Sequence, residues 1–221
     1  KERFFEGLEK KNHRKCIVVY PSVSPLSKFP KKENIISFVG KLNRSKGFHL
    51  FGNSIIKILK KYKKWKAIVI GDEPREKYSF NHKRLEYKGW VSHTKALKVY
   101  NKTSISVIPS TWEEPFGRTA MEAASRGCAT IVSKRGGLVE TVNDALFLTK
   151  LNEKEIFNKI QYLILNKKSR KKIQKRLFKK VLHKLKDNSK KIDLYRDEIL
   201  KNFSFNIKRN RKLKIIHISN F

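Results

Sequence analysis

Sulfur-containing residues and long apolar runs are scarce in this chain. Two cysteines and one methionine occur among 221 residues. Cys16 and Cys128 lie in apolar, strand-like segments without histidines at ligand spacing, so they do not make a zinc site. We expect both thiols to be buried in a reduced cytoplasm. No segment approaches the roughly 20 apolar residues that a membrane-spanning helix needs, and residues 1–15 contain no signal-peptide pattern.

Acidic residues are also few, with 19 Asp or Glu against 53 Lys or Arg and a formal net charge of +34. Residues 150–221 carry 23 of the basic and 6 of the acidic residues. Such an excess favours an anionic membrane surface or a nucleic acid as partner. The alternative is a lysine-rich proteome that places lysines on solvated faces. Few aromatic residues are interleaved in the basic region 166–200, so nucleic acid is the less favoured partner.

Short apolar runs alternate with segments of helical spacing along most of the chain. The runs that predict strands are 16–21, 35–40, 66–71, 84–89, 104–110, 128–133 and 145–149. The segments that predict helices are 48–62, 92–103, 117–127 and 153–200. Because the strands are continuously apolar, we expect an α/β Rossmann-like parallel sheet with helices on both faces, followed by basic helices. Ligands bind such sheets at the carboxyl ends of the strands.

A cationic loop follows the strand that ends at Gly40. Lys41, Arg44 and Lys46 precede the helix expected at 48–62. A diphosphate is bound by positive charge together with free backbone N–H groups, and a helix N-terminus supplies these N–H groups. The loop is neither a P-loop nor a dinucleotide fingerprint. The alternative to a phosphate site is a solvated basic loop in a basic protein.

Two glutamates frame the turn before the helix at 117–127. Glu114 precedes the turn, and Glu122 lies within the helix. This spacing can place Glu114 at the mouth of a cleft and Glu122 deeper inside it. Carboxylates accept hydrogen bonds from vicinal hydroxyls of a ribose or hexose, and Gly117 permits close approach of the backbone to a ligand. Taken singly, Glu114 could instead stabilise the helix dipole and Glu122 could be a surface residue.

Together these elements resemble the C-terminal domain of glycosyltransferase family 4, which belongs to the group 1 glycosyl transferases and has the two-domain GT-B fold. The segment FVGKLNRSKG (38–47) is similar to that family's FVGRL…KG element. Glu114 through Glu122 reproduces its E-x7-E motif, and SKRGGLVETV (133–142) resembles its glycine-rich loop. The resemblance covers residues 15–165. It is specific for the family and much less specific for the sugar.

The resemblance implies a role for each matched residue. Lys41 and Lys46 would act on the leaving diphosphate and, with Glu114 on the donor-sugar hydroxyls, would form the catalytic set. Lys41 stands where the family has arginine, so Arg44 would compensate for the lost bidentate contact. Glu122 would hold the ribose. The other implied substrate-binding positions are Gly40, Trp90, Val91, Pro115, Phe116, Gly117, Arg118, Gly136, Gly137 and Glu140.

The nucleobase would lie near Trp90 and Val91, and Glu140 would brace the wall formed by the two glycines. His93 follows that segment, and we expect it to have a surface or capping role. The implied donor is a UDP- or GDP-sugar, with no cofactor and no essential metal. The sequence contains no Asp-x-Asp metal pair.

The implied reaction is retaining transfer of the sugar to an acceptor hydroxyl in cell-envelope glycan or polysaccharide synthesis. The acceptor, a glycan or a lipid-linked molecule, would bind a separate N-terminal domain. The expected location is the cytoplasm, with a peripheral position at the inner face of the plasma membrane as a further expectation. The alternative function is a basic module that binds nucleic acid or an anionic membrane without catalysis.

The expected organisation has four parts. Residues 1–22 would be the tail of the connection from the acceptor domain, and 23–165 would form the nucleotide-sugar-binding domain. Basic helices would occupy 166–205, and 206–221 would be the first strand of a further domain or an added edge strand. Because the only methionine is Met121, we expect the chain to be part of a longer enzyme.

Overall fold

A single six-stranded sheet organises the fold of this computed structural model, which describes Pro21, residues 23–24 and residues 26–206. All strands are parallel, in the order β3-β2-β1-β4-β5-β6. The strands are β1 (Ile35–Val39), β2 (Lys66–Ile70), β3 (Leu85–Tyr87), β4 (Ile105–Ile108), β5 (Ala129–Ser133) and β6 (Leu146–Leu148). The helices are α1 (Phe48–Lys61), α2 (His93–Lys102), α3 (Arg118–Ser125), α4 (Leu138–Thr141), α5 (Glu153–Leu165) and α6 (Lys167–Asn206).

Both faces of the sheet are covered, which explains why the strands are apolar at successive positions. In β1, Ile36 and Phe38 pack under α1 and α5, whereas Ile35 belongs to the cluster on the opposite face with Ala96 of α2. Side chains alternate between the faces of a strand, so two covered faces require apolar residues at nearly every position. The predicted α/β Rossmann-like fold with helices on both faces is confirmed. The short helix α4 was not predicted.

Cations from outside the helix concerned cap the C-terminal ends of four helices. Arg84 serves α1, Arg170 serves α5, and Lys32 serves both α2 and α3. The accepting carbonyls belong to Leu59, Tyr62, Lys63, Trp65, Leu163, Ile164, Tyr100 and Arg126. A cation there satisfies carbonyls that lack an intrahelical partner and complements the negative end of the helix dipole. Part of the excess positive charge is therefore structural.

The chain divides into two compact units. The unit that holds the sheet runs from Pro21 to Leu185, past the expected boundary at residue 165. Leu177 and Val181 of α6 are buried in its core, which is why this stretch belongs with the sheet. The other unit comprises residues 1–20 and 186–221, of which the structure describes 186–206, the C-terminal part of α6. The strands expected at 16–21 and 206–221 fall on residues that lie, apart from Pro21 and Asn206, outside the described part.

Cys128 is fully buried directly before β5, as the sequence predicted. Burial raises the pKa of its thiol to about 11, an effect that the nearby Lys32 ammonium partly opposes. Cys16 lies outside the described residues. Over the described ranges, none of the helices combines the length and the apolar character needed to cross a bilayer.

Replacing Lys32 with methionine should destabilise the fold by about 1–2 kcal/mol, because the carbonyls of Tyr100 and Arg126 lose a charged donor. Burial lowers the pKa of the Lys32 ammonium, so the desolvation cost that disappears offsets part of the loss. The neighbouring Lys31 is exposed, and Lys31→Met is the matched control. Urea denaturation measures both variants, and equal stability of the two would contradict the capping role.

Candidate functional site

The carboxyl ends of β1 and β4 lie side by side at the point where the strand order reverses. From β1 the chain continues outward through β2 and β3, and it then returns to place β4 on the other side of β1. The loops that follow these two strands therefore diverge and leave a crevice, the usual ligand position in an open α/β sheet. This crevice contains a cavity of about 130 Å³. Its lining residues are Phe38, Val39, Gly40, Lys46, Ile108, Ser110, Glu114, Arg118 and Thr119.

An ion pair joins the two loops across this cavity. Lys46 Nζ lies 2.7 Å from Glu114 Oε1, and the side chains are 27% and 10% exposed. Ser110 Oγ donates to the same oxygen at 2.6 Å. Within the part of the chain that the structure describes, no donor reaches the other oxygen, Glu114 Oε2. One carboxylate oxygen is thus neutralised, and the other is available to accept a hydrogen bond from a ligand.

The backbone of the cationic loop determines which of its cations enters the cavity. Asn43 Oδ1 accepts hydrogen bonds from Ser45 Oγ at 2.9 Å and from the Lys46 amide at 3.0 Å. The Ser45 carbonyl accepts from the Thr111 amide at 2.8 Å, which ties this loop to the one after β4. These contacts fix the backbone at Lys46. Lys41 and Arg44 are exposed and do not line the cavity.

The N-terminus of α3 opens onto the same cavity. Gly117 is its N-cap residue, with a φ of 88° and no side-chain cap. The amides of Arg118 and Thr119 donate to no other group among the described residues. Both residues line the cavity. Free amides and the positive end of the helix dipole therefore add to the charge of Lys46, a combination suited to an anionic group.

The glycine pair supports the loop that carries Glu114. The Gly137 amide donates to the Glu114 carbonyl at 2.7 Å. A Cβ on Gly136, whose φ is 48°, would lie 2.3 Å from that carbonyl oxygen. The Gly136 amide also donates to Glu113. Gly136 and Gly137 were expected to form a wall of the pocket, but neither lines the cavity. They instead support the backbone of Glu114, which does line it.

Glu122 is buried about one helical turn after Arg118 in α3, next to the cavity that Arg118 lines. Its Oε1 lies 3.0 Å from His93 Nε2 and 3.6 Å from Arg118 Nε. Arg118 therefore links Glu122 to the cavity that it lines itself. His93 is exposed, as expected for a surface residue, and its ring also contacts this buried carboxylate, which was not predicted.

The remaining candidates lie outside the cavity. Trp90 is 76% exposed, and Val91 packs against the cluster that contains Ile35. Phe116 is half-buried against the core beneath α3, whereas Pro115 and Glu140 are exposed. The structure thus gathers Gly40, Lys46, Glu114 and Arg118 around one cavity, with Gly117 capping the adjoining helix and Glu122 beside it.

Three side chains near the pair were not predicted from the sequence. Ser110 bonds Glu114 directly, Thr119 lines the cavity, and the Trp112 ring lies 4.9 Å from Lys46 Nζ. The short distance in sequence from Ser110 to Glu114 was the available signal for that contact. The position of the Trp112 ring over Lys46 depends on two loops and had no local signal.

The fold and the site together define a class of protein. It is a Rossmann-like domain with a cleft suited to an anion, at the point where the strand order reverses. Residues 23–180 match the sequence model of the family described as Glycosyl transferases group 1. The chain belongs to this family.

Curated relatives agree with this assignment. An uncharacterized glycosyltransferase of Methanocaldococcus jannaschii is 32% identical over 118 residues, which cover 50% of this chain and 30% of that protein. A glycogen synthase of Mycobacterium tuberculosis is 27% identical over 112 residues, which cover 48% and 27%. The chain therefore spans less than a third of the length of either relative.

Solved structures of similar fold include the C-terminal domain of a group 1 family glycosyl transferase from Francisella tularensis. It is 26% identical, with a TM-score of 0.62, and the match covers 73% of this chain and 94% of that one. Anabaena HepE, solved with UDP-glucose, shares the fold at 18% identity and a TM-score of 0.60, over 73% and 49%. The fold is that of the C-terminal half of a GT-B glycosyltransferase, as predicted.

Gly136→Ala should lower the free energy of unfolding of the domain more than Gly89→Ala does. Both glycines have positive φ, at 48° and 61°, but a Cβ meets the Glu114 backbone only at Gly136 and nothing within 4 Å at Gly89. The strain of a positive φ is common to both variants, so their difference isolates the clash. We expect Gly136→Ala to cost at least about 1 kcal/mol more. Urea unfolding measures the difference, and equal losses would show that the glycine loop does not buttress Glu114.

Proposed function

We propose that this chain is the donor-binding domain of a retaining glycosyltransferase of family 4. It binds a UDP- or GDP-sugar in the cleft between β1 and β4, and the sugar passes to an acceptor hydroxyl. The observation that carries the proposal is the Lys46–Glu114 pair at 2.7 Å, which shares its cavity with the N-terminus of α3. A cation, free amides and a carboxylate with one available oxygen are the groups that a diphosphate-linked sugar needs.

The diphosphate is the leaving group, and negative charge develops on it as the bond to the sugar breaks. Lys46, the Arg118 guanidinium and the first amides of α3 stabilise this charge without a metal ion. An ammonium has three donors, so Lys46 can hold Glu114 and a phosphate oxygen together. We retain Lys41 as a candidate because it is exposed on the loop that carries Lys46.

The two glutamates provide acceptors for hydroxyl groups. Glu114 Oε2 takes a hydrogen bond from a hydroxyl of the donor sugar, while Oε1 stays paired with Lys46. Glu122 takes the ribose hydroxyls, which then replace or join the His93 contact. Support for a UDP-linked donor comes from Anabaena HepE, which has this fold and was solved with UDP-glucose.

The acceptor is a glycan or lipid-linked molecule that binds a second domain facing the cleft. The length of the relatives, of which this chain spans 30% or less in two cases, supports a larger enzyme. We place that enzyme in the cytoplasm and in the synthesis of cell-envelope glycan. Without the second domain the acceptor is not oriented against the donor, so the chain alone should bind donor and transfer little sugar.

Titration with UDP- and GDP-sugars, followed by thermal unfolding, tests the donor site. A ligand raises the melting temperature as its concentration exceeds the dissociation constant. We expect Lys46→Ala and Glu114→Gln to weaken affinity about 10- to 100-fold, the loss of one charged hydrogen bond. Lys57 is an exposed α1 lysine paired with Glu153. Lys57→Ala is therefore the matched control and should bind donor like the parent chain.

Two results would overturn the proposal. One is that no nucleotide sugar stabilises the parent chain at any concentration. The other is that Lys46→Ala binds donor as tightly as Lys57→Ala. Unfolding of each variant without ligand shows that a loss of affinity is not a loss of folded protein.

A further inference from the structure

The first part of α6 presents a face on which every exposed position is a cation. We call this the basic face; its members are Lys167, Lys168, Lys171, Lys172, Lys175, Arg176, Lys179 and Lys180. They recur as adjacent pairs every four residues, so successive pairs lie about one helical turn apart. At about 1.5 Å per residue the face extends roughly 20 Å along the helix.

The buried side of this segment is fixed to the domain. Gln174 Nε2 donates to the Ser104 carbonyl at 2.9 Å, at the amino-terminal entry to β4. The Arg170 guanidinium lies 5.0 Å from the Trp65 ring, and Leu177 is buried in the core. The basic face is therefore a surface of defined shape on the unit that holds the sheet.

Most of its charge is not neutralised by the residues that the structure describes. Arg176 and Lys180 both pair with Asp144. The other six cations form no ion pair with a carboxylate in the part of the chain that the structure describes. Like charges four residues apart destabilise a helix, and this segment repeats that spacing along its whole exposed side. A surface built this way is stabilised by an external polyanion.

We propose that the basic face docks on a bilayer surface of anionic phospholipid headgroups. The row of cations is about 20 Å long and winds by roughly a third of a turn around the helix, because each pair is displaced by about 40° from the one before it. Neighbouring pairs contact several headgroups at once, and each cation adds to membrane affinity. Leu165, 64% exposed, and Tyr162, 45% exposed, lie in the last turn of α5, which ends two residues before Lys167. Apolar and aromatic side chains beside cations are typical of interfacial anchors. The exposed positions of the basic face include no aromatic residue on which a nucleobase could stack.

This docking is independent of the donor site, because no residue of the basic face lines the donor cavity. Failure of either proposal therefore leaves the other standing. The donor titration, repeated on variants of the basic face, shows directly that the cleft is intact.

Sedimentation of the whole chain with lipid vesicles tests the proposal at about 150 mM salt, where weak long-range attraction is screened. The vesicles are phosphatidylcholine alone or about two parts phosphatidylcholine to one part phosphatidylglycerol. We expect binding to the mixed vesicles only. Changing Lys168→Gln, Lys171→Gln, Lys172→Gln and Lys175→Gln together should lower partition at least about a hundredfold, since each lysine is worth about fivefold. The four Lys→Arg changes at these positions should keep it.

The control removes the same charge elsewhere, with Lys60→Gln, Lys63→Gln, Lys64→Gln and Lys83→Gln. These four lysines are exposed and none belongs to the basic face. Lys63, Lys83 and Lys60 lie near one another around His82, whose pKa is lowered by burial first and then by Arg84 and these three lysines. Partition of the control variant to the mixed vesicles should fall by less than about fivefold, the contribution of one lysine. Equal losses in the two glutamine variants, or full binding by the basic-face variant, would overturn the proposal. So would retention of single-stranded DNA by the basic face without retention of vesicles.

Discussion

The reversal of strand order between β1 and β4 is the constraint on which the site depends. Because these strands are neighbours while their following loops diverge, the sheet itself opens the crevice. The loop after β1 brings Lys46 to one side, and the loop after β4 brings Glu114 to the other, where they pair. Gly117 then begins α3 at the edge of the same crevice. Sheet topology, loop contacts and helix start converge on one anion-suited cavity.

Cations in this protein have different physical tasks, which composition alone does not separate. Lys32, Arg84 and Arg170 cap helix C-termini through backbone carbonyls. Lys46 is held against a buried carboxylate in the cleft. Most members of the basic face of α6 have neither role and are exposed, and these are the cations for which we propose a membrane contact. The net charge of +34 therefore combines cations that cap helices with those that we propose to bind a donor or a membrane.

The sequence predicted the fold well because a parallel sheet with two covered faces leaves a strong pattern of continuous apolar runs. It also placed the Glu114 and Lys46 loops at the same edge. It did not show which cation of the loop enters the cavity, because the Asn43 contact to the Lys46 amide sets that choice. Nor did it show the His93 contact to the buried glutamate of α3, since that pair joins two helices distant in sequence. Such contacts depend on packing, which local spacing does not encode.

The most direct measurement of the central claim is a crystal structure of this chain with UDP bound. The account predicts diphosphate oxygens within hydrogen-bonding distance of Lys46 Nζ, about 3 Å, and at the free amides of Arg118 and Thr119. It also predicts that the ribose lies toward Glu122. A diphosphate bound elsewhere on the domain, with the cavity empty and the Lys46–Glu114 pair unchanged, would contradict the account.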